Sequence, residues 1–163
     1  MNPRMLIVAL CAALALAACG DEGDSSSTAD GDTASAADAA ERPEPKVEVP
    51  KGAPPKDLEV KDLIKGSGPA AAAGDVVSVQ YVGVDYETGK QFDASWDHGQ
   101  PFTFQLGGGQ VIPGWDRGID GMKVGGQREL IIPPEQAYGR IGQPPAIGPD
   151  ATLVFVIDLL GIQ

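Results

Sequence analysis

Apolar and polar positions alternate in several segments from residue 58 onward, which is the pattern of half-buried β-strands. These segments are rich in valine, isoleucine, phenylalanine and threonine, and glycine, proline and aspartate separate them. A tight turn, "ETGK" at 87–90, precedes a further short strand at 91–92. The pattern therefore predicts a domain built mainly of antiparallel sheet. The longer segments are "LEVKDLIK" from Leu58, "DVVSVQYVGVDY" from Asp75, "FTFQL" from Phe102, "QRELIIP" from Gln127 and "TLVFVIDLL" from Thr152.

One stretch has the spacing of a helix instead. In "IPGWDRGIDGMKVGG", the side chains of Trp115, Ile119 and Met122 recur every three or four residues and share one apolar face of a helix over 114–122. A proline before this helix and a glycine doublet after it suit its two ends. Because a helix of about nine residues is not stable alone, its apolar face must pack against the sheet.

The first 56 residues have a different character, since all nine aromatic residues of the chain lie between positions 81 and 155. Residues 1–18 combine a positive charge at Arg4 with an apolar run too short to span a bilayer, which predicts a signal peptide. The run ends in "LAAC", which resembles a bacterial lipobox, so we expect Cys19 to be lipidated. The alternative is an ordinary secretory peptide that is cut after Ala18 and leaves a free thiol.

Residues 19–56 consist mainly of alanine, serine, threonine, aspartate and proline, with few side chains large enough to bury. This composition predicts a disordered, acidic and proline-rich linker. The linker would tether a folded domain at 57–163 to the extracytoplasmic face of a bacterial cell membrane.

Charge and cysteine content exclude several classes of partner and chemistry. The formal net charge is -11, so the chain has no basic face for nucleic acid or anionic lipid. Cys11 would leave with the signal peptide and Cys19 would be acylated, so neither is available for a disulfide or a metal. The chain has a single histidine, His98, and lacks the HExxH and GxSxG motifs of zinc and serine hydrolases. We therefore expect no metal and no cofactor.

The chemistry that the domain can offer is that of an aromatic and aliphatic cavity. Asp93 and Asp97 could be imagined as the carboxylate pair of a glycosidase, but they flank Trp96 in a turn-like segment and are better explained as solvated or hydrogen-bonded. Rotation about an Xaa-Pro amide needs no proton or electron transfer, although its barrier is about 18–20 kcal/mol. Because the twisted amide is less polar than the planar one, a dry apolar pocket favours the rotation.

The segments "VSVQYVGVDYETGKQFDAS", "PFTFQLGGGQVIPGWDRGIDGMKVGGQRELIIPPEQAYG" and "PDATLVFVIDLL" follow one another in order within residues 74–161. Through them, the domain resembles an FKBP-type peptidyl-prolyl cis-trans isomerase, here in the form of an exported bacterial lipoprotein. The resemblance implies an α+β fold, in which a five- or six-stranded antiparallel half-barrel sheet wraps around the one short helix.

By this resemblance, a prolyl ring would lie on Trp115 as the floor of a pocket. The backbone N–H of Ile112 and the hydroxyl of Tyr138 would bind substrate carbonyl oxygens, and Asp93 would lie beside the twisting amide. Ile147 would reach toward the site from the overhanging loop "YGRIGQPPAIGPD". The walls of the pocket would be Tyr81, Phe92, Phe102, Val111, Ile112 and Phe155.

The alternative for each of these aromatic residues is a plain role in the core, which we expect for Phe104 and Leu106. For Trp115, Tyr138 and Asp93 we favour the site, because a buried carboxylate without a function would be costly.

Three positions depart from the pattern of the family. His98 stands where the family commonly has a basic partner for Asp93, but it could equally be an exposed loop residue, since Asp97 is as near a partner in sequence. Gln143 and Ala146 differ on the overhanging loop, which leaves the residue preference before proline and the affinity for macrolide inhibitors open.

The resemblance implies an isomerase that assists the folding of exported proteins at the cell envelope. Its partners would be Xaa-Pro segments of those proteins and macrolide inhibitors, with the membrane reached through the lipid anchor. We expect a monomer. The alternative is a module that binds proline-containing peptides with little turnover.

Overall fold

The structure is a computed structural model and describes residues 33–163. The predicted signal peptide, Cys19 and the first part of the predicted linker lie outside the described residues. Among residues 33–163, no helix is long and apolar enough to cross a membrane. The strands are β1 (Thr33–Ala34), β2 (Glu59–Gly66), β3 (Val76–Asp85), β4 (Gln91–Ala94), β5 (Phe102–Gln105), β6 (Gln127–Ile132) and β7 (Leu153–Ile162), and the helices are α1 (Ala36–Ala40), α2 (Ser95–His98) and α3 (Pro113–Ile119), with one 3-10 turn at Pro134–Gln136.

The seven strands join one sheet, in which β3 and β7 form the long central pair. Its order is β1-β2-β6-β7-β3-β4, and β5 also pairs with β3. Each of these pairings is antiparallel except that of β1 with β2. Each segment predicted as a strand overlaps one of the strands β2 to β7, whereas β1 comes from the predicted linker.

Strand alternation sorts the apolar side chains into two clusters, one on each face of the sheet. Leu130 and Ile132 of β6 face the larger cluster, which contains α3, whereas Ile131 between them faces the smaller one. Phe104 and Leu106 are buried in the larger cluster, as predicted.

Helix α3 packs closely on β6 because two of its residues lack a side chain. A Cβ atom on Gly114 would lie 2.4 Å from Ile132 Cγ2, and one on Gly118 would lie 2.6 Å from the Leu130 methyl groups. The two glycines therefore let the helix backbone rest directly on the strand.

Helix α3 is shorter than predicted, since it ends at Ile119 and not at Met122. Asp120 adopts an extended ψ of 132°, and Gly121 follows with a φ of 73°. The chain nevertheless turns so that Met122 stays buried with Trp115 and Ile119 in the larger cluster. The expectation of a single helix also needs correction, because α1 and the one-turn α2 are present as well.

Residues 33–49 pack against the domain, which differs from the disordered linker predicted for 19–56. Ser35 caps α1 in a reciprocal pair of hydrogen bonds with Asp38, and Ala39 is buried. Further along, Val47 and Val49 pack on the smaller apolar cluster of the sheet. We call residues 33–49 the N-terminal strap. The composition of the strap is that of a linker, but Arg42, Glu44, Val47 and Val49 each contact the domain.

Candidate functional site

A cavity of about 180 Å³ lies between the ends of β3, β4, β5 and β7 and the start of α3. Apolar and aromatic side chains dominate its lining, with a small number of polar groups among them. The lining residues are Tyr81, Phe92, Asp93, Phe102, Gln110, Val111, Ile112, Trp115, Tyr138 and Phe155.

The buried indole of Trp115 is the centre of the aromatic part of this cavity. Its ring centroid lies 5.0 Å from that of Tyr81 and 5.2 Å from that of Phe155, both in edge-to-face orientation. The buried Nε1 of Trp115 has no hydrogen-bond partner within the described part of the chain. The indole thus offers an apolar surface. Its N–H is a donor for which residues 33–163 supply no acceptor.

Gly83 allows two of the wall residues to meet. A Cβ atom at this position of β3 would lie 2.7 Å from ring atoms of both Phe155 and Phe92. Without that atom, the two rings pack edge to face with their centroids 5.6 Å apart. Sequence reasoning did not single out Gly83, although a glycine inside a strand is a signal of close approach.

Asp93 lies on β4 at the rim of the cavity and accepts two hydrogen bonds. The Tyr81 hydroxyl donates to Oδ2 at 2.7 Å, and Nε2 of His98 lies 2.9 Å from Oδ1. Of the two interpretations of His98, the structure shows the pairing with Asp93, and the side chain is nevertheless exposed to solvent. The side chain of Asp93 is 41% exposed, so the argument from a costly buried carboxylate does not apply to it.

The backbone around Asp93 explains this pairing. Helix α2 is a single turn that Gly99 ends in the left-handed conformation, with a φ of 68°, so His98 lies close to the strand that carries Asp93. The buried Ser95 accepts the N–H of Tyr81 at 2.9 Å and donates to the side chain of Gln80. Ser95 thus fixes the start of α2 to β3, a role that sequence reasoning missed.

Two tyrosine hydroxyls are held in the protonated form. Burial raises the pKa of Tyr81, and the hydrogen bond to Asp93 raises it further. Burial also raises the pKa of Tyr138, with a second contribution from the negative charge of Asp93. Both groups are donors at neutral pH, as an ordinary tyrosine is, and the raised pKa values extend that state to more alkaline pH. The Tyr81 donor is used by Asp93, whereas the Tyr138 hydroxyl makes no hydrogen bond to another residue in 33–163.

Ile112 lies immediately before α3 and contributes backbone to the cavity. Its carbonyl accepts the N–H of Trp115 at 2.9 Å, which starts the helix. Its own N–H donates to no other described residue. The rim therefore carries two unpaired donors, this N–H and the Tyr138 hydroxyl.

Ile147 is buried in the larger apolar cluster and is not among the residues that line the cavity. The overhanging loop is closed on itself there, because the backbones of Gln143 and Ile147 exchange hydrogen bonds of 2.9 and 3.0 Å. Gln110 lines the cavity instead, and sequence reasoning missed it. Its place directly before Val111 was the available signal.

Sequence comparison identifies relatives that share this site-bearing region. Residues 68–160 match the family of FKBP-type peptidyl-prolyl cis-trans isomerases. The chain is 57% identical over 119 residues to an FK506-binding protein of Streptomyces anulatus, a match that covers 72% of this chain and 96% of that protein. It is 53% identical over 116 residues to a probable FK506-binding protein of Corynebacterium glutamicum, covering 71% and 96%. The chain belongs to the FKBP-type peptidyl-prolyl cis-trans isomerase family.

The fold agrees with this assignment. The crystal structure of AtFKBP13 matches with a TM-score of 0.61 and 41% sequence identity, over 65% of this chain and 93% of that one. The chain thus has the FKBP-like fold, with a sheet of mainly antiparallel strands and few helices.

The chain is accordingly a peptidyl-prolyl cis-trans isomerase, and its cavity suits that reaction. Rotation about the prolyl amide disrupts the resonance of a planar, polar group, with a barrier of about 18–20 kcal/mol. The apolar surface around Trp115 solvates the planar form less well than water does. A surface of this kind can favour the less polar twisted form without any bond being made or broken.

Proposed function

We propose that this FKBP-type isomerase assists the folding of exported proteins at the cell envelope. In this proposal a lipid on Cys19 anchors it to the extracytoplasmic face of a bacterial membrane, and it acts as a monomer on Xaa-Pro segments. The observation that supports the catalytic part is the aromatic cavity floored by Trp115, with two unpaired donors at its rim. The "LAAC" motif behind a short apolar run supports the anchored part.

Binding of the substrate follows from the shape and polarity of the cavity. The prolyl ring lies flat on Trp115, with Phe92, Phe102 and Phe155 as walls. A flat aromatic face gives a saturated ring a large dry contact area. The sheet in this view wraps around α3 as a half-barrel, and the cavity lies at its open end.

The donors and the carboxylate act on the twisting amide. The Ile112 N–H binds a substrate carbonyl oxygen next to the proline, and the Tyr138 hydroxyl binds another. Asp93, which Tyr81 and His98 hold in place, lies beside the rotating bond. Donors that are already oriented stabilise the altered charge distribution of the twisted amide without reorganisation.

The same cavity is proposed to bind FK506-type macrolides. Relatives in Streptomyces and Corynebacterium are named as FK506-binding proteins. A macrolide that occupies the floor on Trp115 excludes the prolyl ring and should inhibit competitively.

An isomerisation assay on the full-length protein tests the catalytic proposal. We expect faster cis-trans exchange in an apolar-Xaa-Pro peptide, and competitive inhibition by FK506. A millionfold acceleration would require about 8 kcal/mol of preferential binding to the twisted form. Peptide binding by calorimetry without faster exchange would support the alternative of a binding module.

A further inference from the structure

The turn at 107–109, which leads from β5 toward α3, is built on left-handed glycines. Gly107 has a φ of 73° and Gly109 a φ of 66°, values that side-chain-bearing residues rarely adopt. A Cβ atom on Gly108 would lie 3.1 Å from the Gln105 carbonyl oxygen, so the turn is also tight. The three residues that follow the turn line the cavity.

The carboxylate of Asp116 binds this turn. Its Oδ1 accepts the N–H of Gly107 at 2.8 Å, and its Oδ2 accepts the N–H of Gly109 at 3.3 Å. Backbone N–H groups of left-handed turns form a concave site for anions, and here the anion belongs to the chain itself. Hydrogen bonds to a charged acceptor are stronger than those between neutral groups.

Asp116 connects this turn to the floor of the cavity. It lies in the first turn of α3, directly after Trp115, and its own N–H lies 3.4 Å from the carbonyl oxygen of Ile112. Asp116 therefore joins the two ends of the segment 110–112, because it bonds both to the turn before it and to Ile112 at the start of the helix. That segment carries Gln110, Val111 and Ile112, all of which line the cavity.

Gln110 fixes the same segment from the side of β5. Its Oε1 accepts the N–H of Gln105 at 3.1 Å, and the side chain of Gln105 in turn donates to the Gly74 carbonyl at 3.1 Å. The turn at 107–109 is thus held by two side chains, those of Gln110 and Asp116. Only that of Asp116 carries charge.

We propose that Asp116 is a positioning residue of the isomerase, which holds the loop so that the Ile112 N–H faces the substrate. The proposal rests on the role given above to that N–H. Asp116 does not touch the cavity itself, since it is absent from the lining residues. If the loop adopts the binding conformation for only a fraction of the time, the apparent affinity for the peptide falls by that fraction.

Substitution of Asp116 in the full-length protein tests this role. Asp116→Ala removes both hydrogen bonds, and Asp116→Asn keeps one acceptor oxygen. We expect the KM and the peptide Kd to rise about 3- to 10-fold in the alanine variant and less in the asparagine variant, with kcat within about twofold of wild type. Asp120→Asn is the matched control, because it removes the same charge from an exposed position just after α3.

Amide NMR supplies a measurement that is independent of activity. In Asp116→Ala, the signals of Gly107 and Gly109 should shift upfield and exchange faster, and the signal of Ile112 should broaden. Unchanged peptide affinity despite these shifts would overturn the proposal, as would an equal rise in KM for Asp120→Asn. A wild-type protein without isomerase activity would contradict the proposed function, whereas the Kd and amide measurements would still decide the role of Asp116.

Discussion

The guanidinium of Arg42 in the N-terminal strap forms an ion pair with the carboxylate of Asp158, which is completely buried on β7. Arg42 also donates to the Gly125 carbonyl at 2.8 Å. The side-chain amide of Gln127 donates to both Asp158 oxygens, at 3.2 and 3.1 Å. A residue of the predicted linker thus neutralises a charge inside the folded domain.

Replacing Arg42 should therefore destabilise the fold. Arg42→Ala leaves the Asp158 carboxylate buried without its counter-charge, and loss of one partner from such a pair typically lowers the free energy of unfolding by about 3–5 kcal/mol. Urea denaturation measures the change. Lys46→Ala is the control, because Lys46 is an exposed cation in the same strap, and its loss should stay within about 0.5 kcal/mol. Equal losses in the two variants would contradict a specific role for the ion pair.

The pH dependence of stability should report the burial of Asp158. Burial raises the pKa of this carboxyl above its ordinary value of 3.8, while Gln127 and Arg42 act in the opposite direction. Because the folded state holds the proton more tightly, the stabilisation linked to Asp158 is complete below pH 3.8 and is lost as the pH rises through the folded-state pKa. Without Arg42 that pKa should rise further. The destabilisation by Arg42→Ala should thus grow from acid to neutral pH, and a gap that is constant from pH 4 to 8 would contradict this.

Removal of the whole strap should have a larger effect than the single substitution. A chain that begins at residue 57, the predicted domain boundary, lacks Arg42 and also the valines that cover the smaller apolar cluster. We expect it to be less stable than a chain that begins at Thr33 by more than the loss seen in Arg42→Ala, and to bind the dye ANS. Equal urea midpoints for the two chains would show that the strap contributes nothing to the fold.

The strap shows where sequence patterns lose their predictive power. Strands β2 to β7 could be predicted because alternation is a local property that each segment displays by itself. The pairing of Arg42 with Asp158 joins positions 116 residues apart and depends on one side chain at each end. No local pattern distinguishes this arginine from the other charges of an acidic, proline-rich segment.

The residues that line the cavity could largely be predicted from the resemblance, whereas the residues of the loops could not. Aromatic residues such as Trp115 and Phe155 keep their place because the strands and α3 fix them. His98 could be assigned to Asp93 only after the turn at Gly99 was known, since Asp97 competes in sequence. The side chain of Ile147 is buried in the larger apolar cluster, in a loop that the backbone hydrogen bonds between Gln143 and Ile147 close.

The hydrogen bond from Tyr81 to Asp93 should be needed for full activity. Tyr81→Phe removes this donor and leaves the aromatic wall in place. We expect kcat/KM to fall about tenfold, which corresponds to about 1.4 kcal/mol, the value of one good hydrogen bond. Tyr86→Phe is the control, since its hydroxyl lies 3.5 Å from the Ala53 carbonyl oxygen, remote from the cavity lining.

His98 provides a graded comparison in the same assay. Because this side chain is 59% exposed, His98→Ala should reduce activity less than Tyr81→Phe, and His98→Arg should retain it. If Tyr81→Phe were as active as Tyr86→Phe, the position of Asp93 would not depend on the tyrosine.

Lipidation of Cys19 should attach the protein to the membrane. If Cys19 is acylated, residues 20–32 connect it to the strap. Cys19→Ser should move the protein from the membrane fraction to the soluble fraction and abolish fatty-acid labelling. Isomerase activity should be unchanged, because the cysteine is not among the residues that line the cavity. Cys11→Ser is the control, since that residue would leave with the signal peptide. Stable attachment requires more than one acyl chain. Wild-type protein that is soluble and carries no fatty-acid label would rule out the anchor.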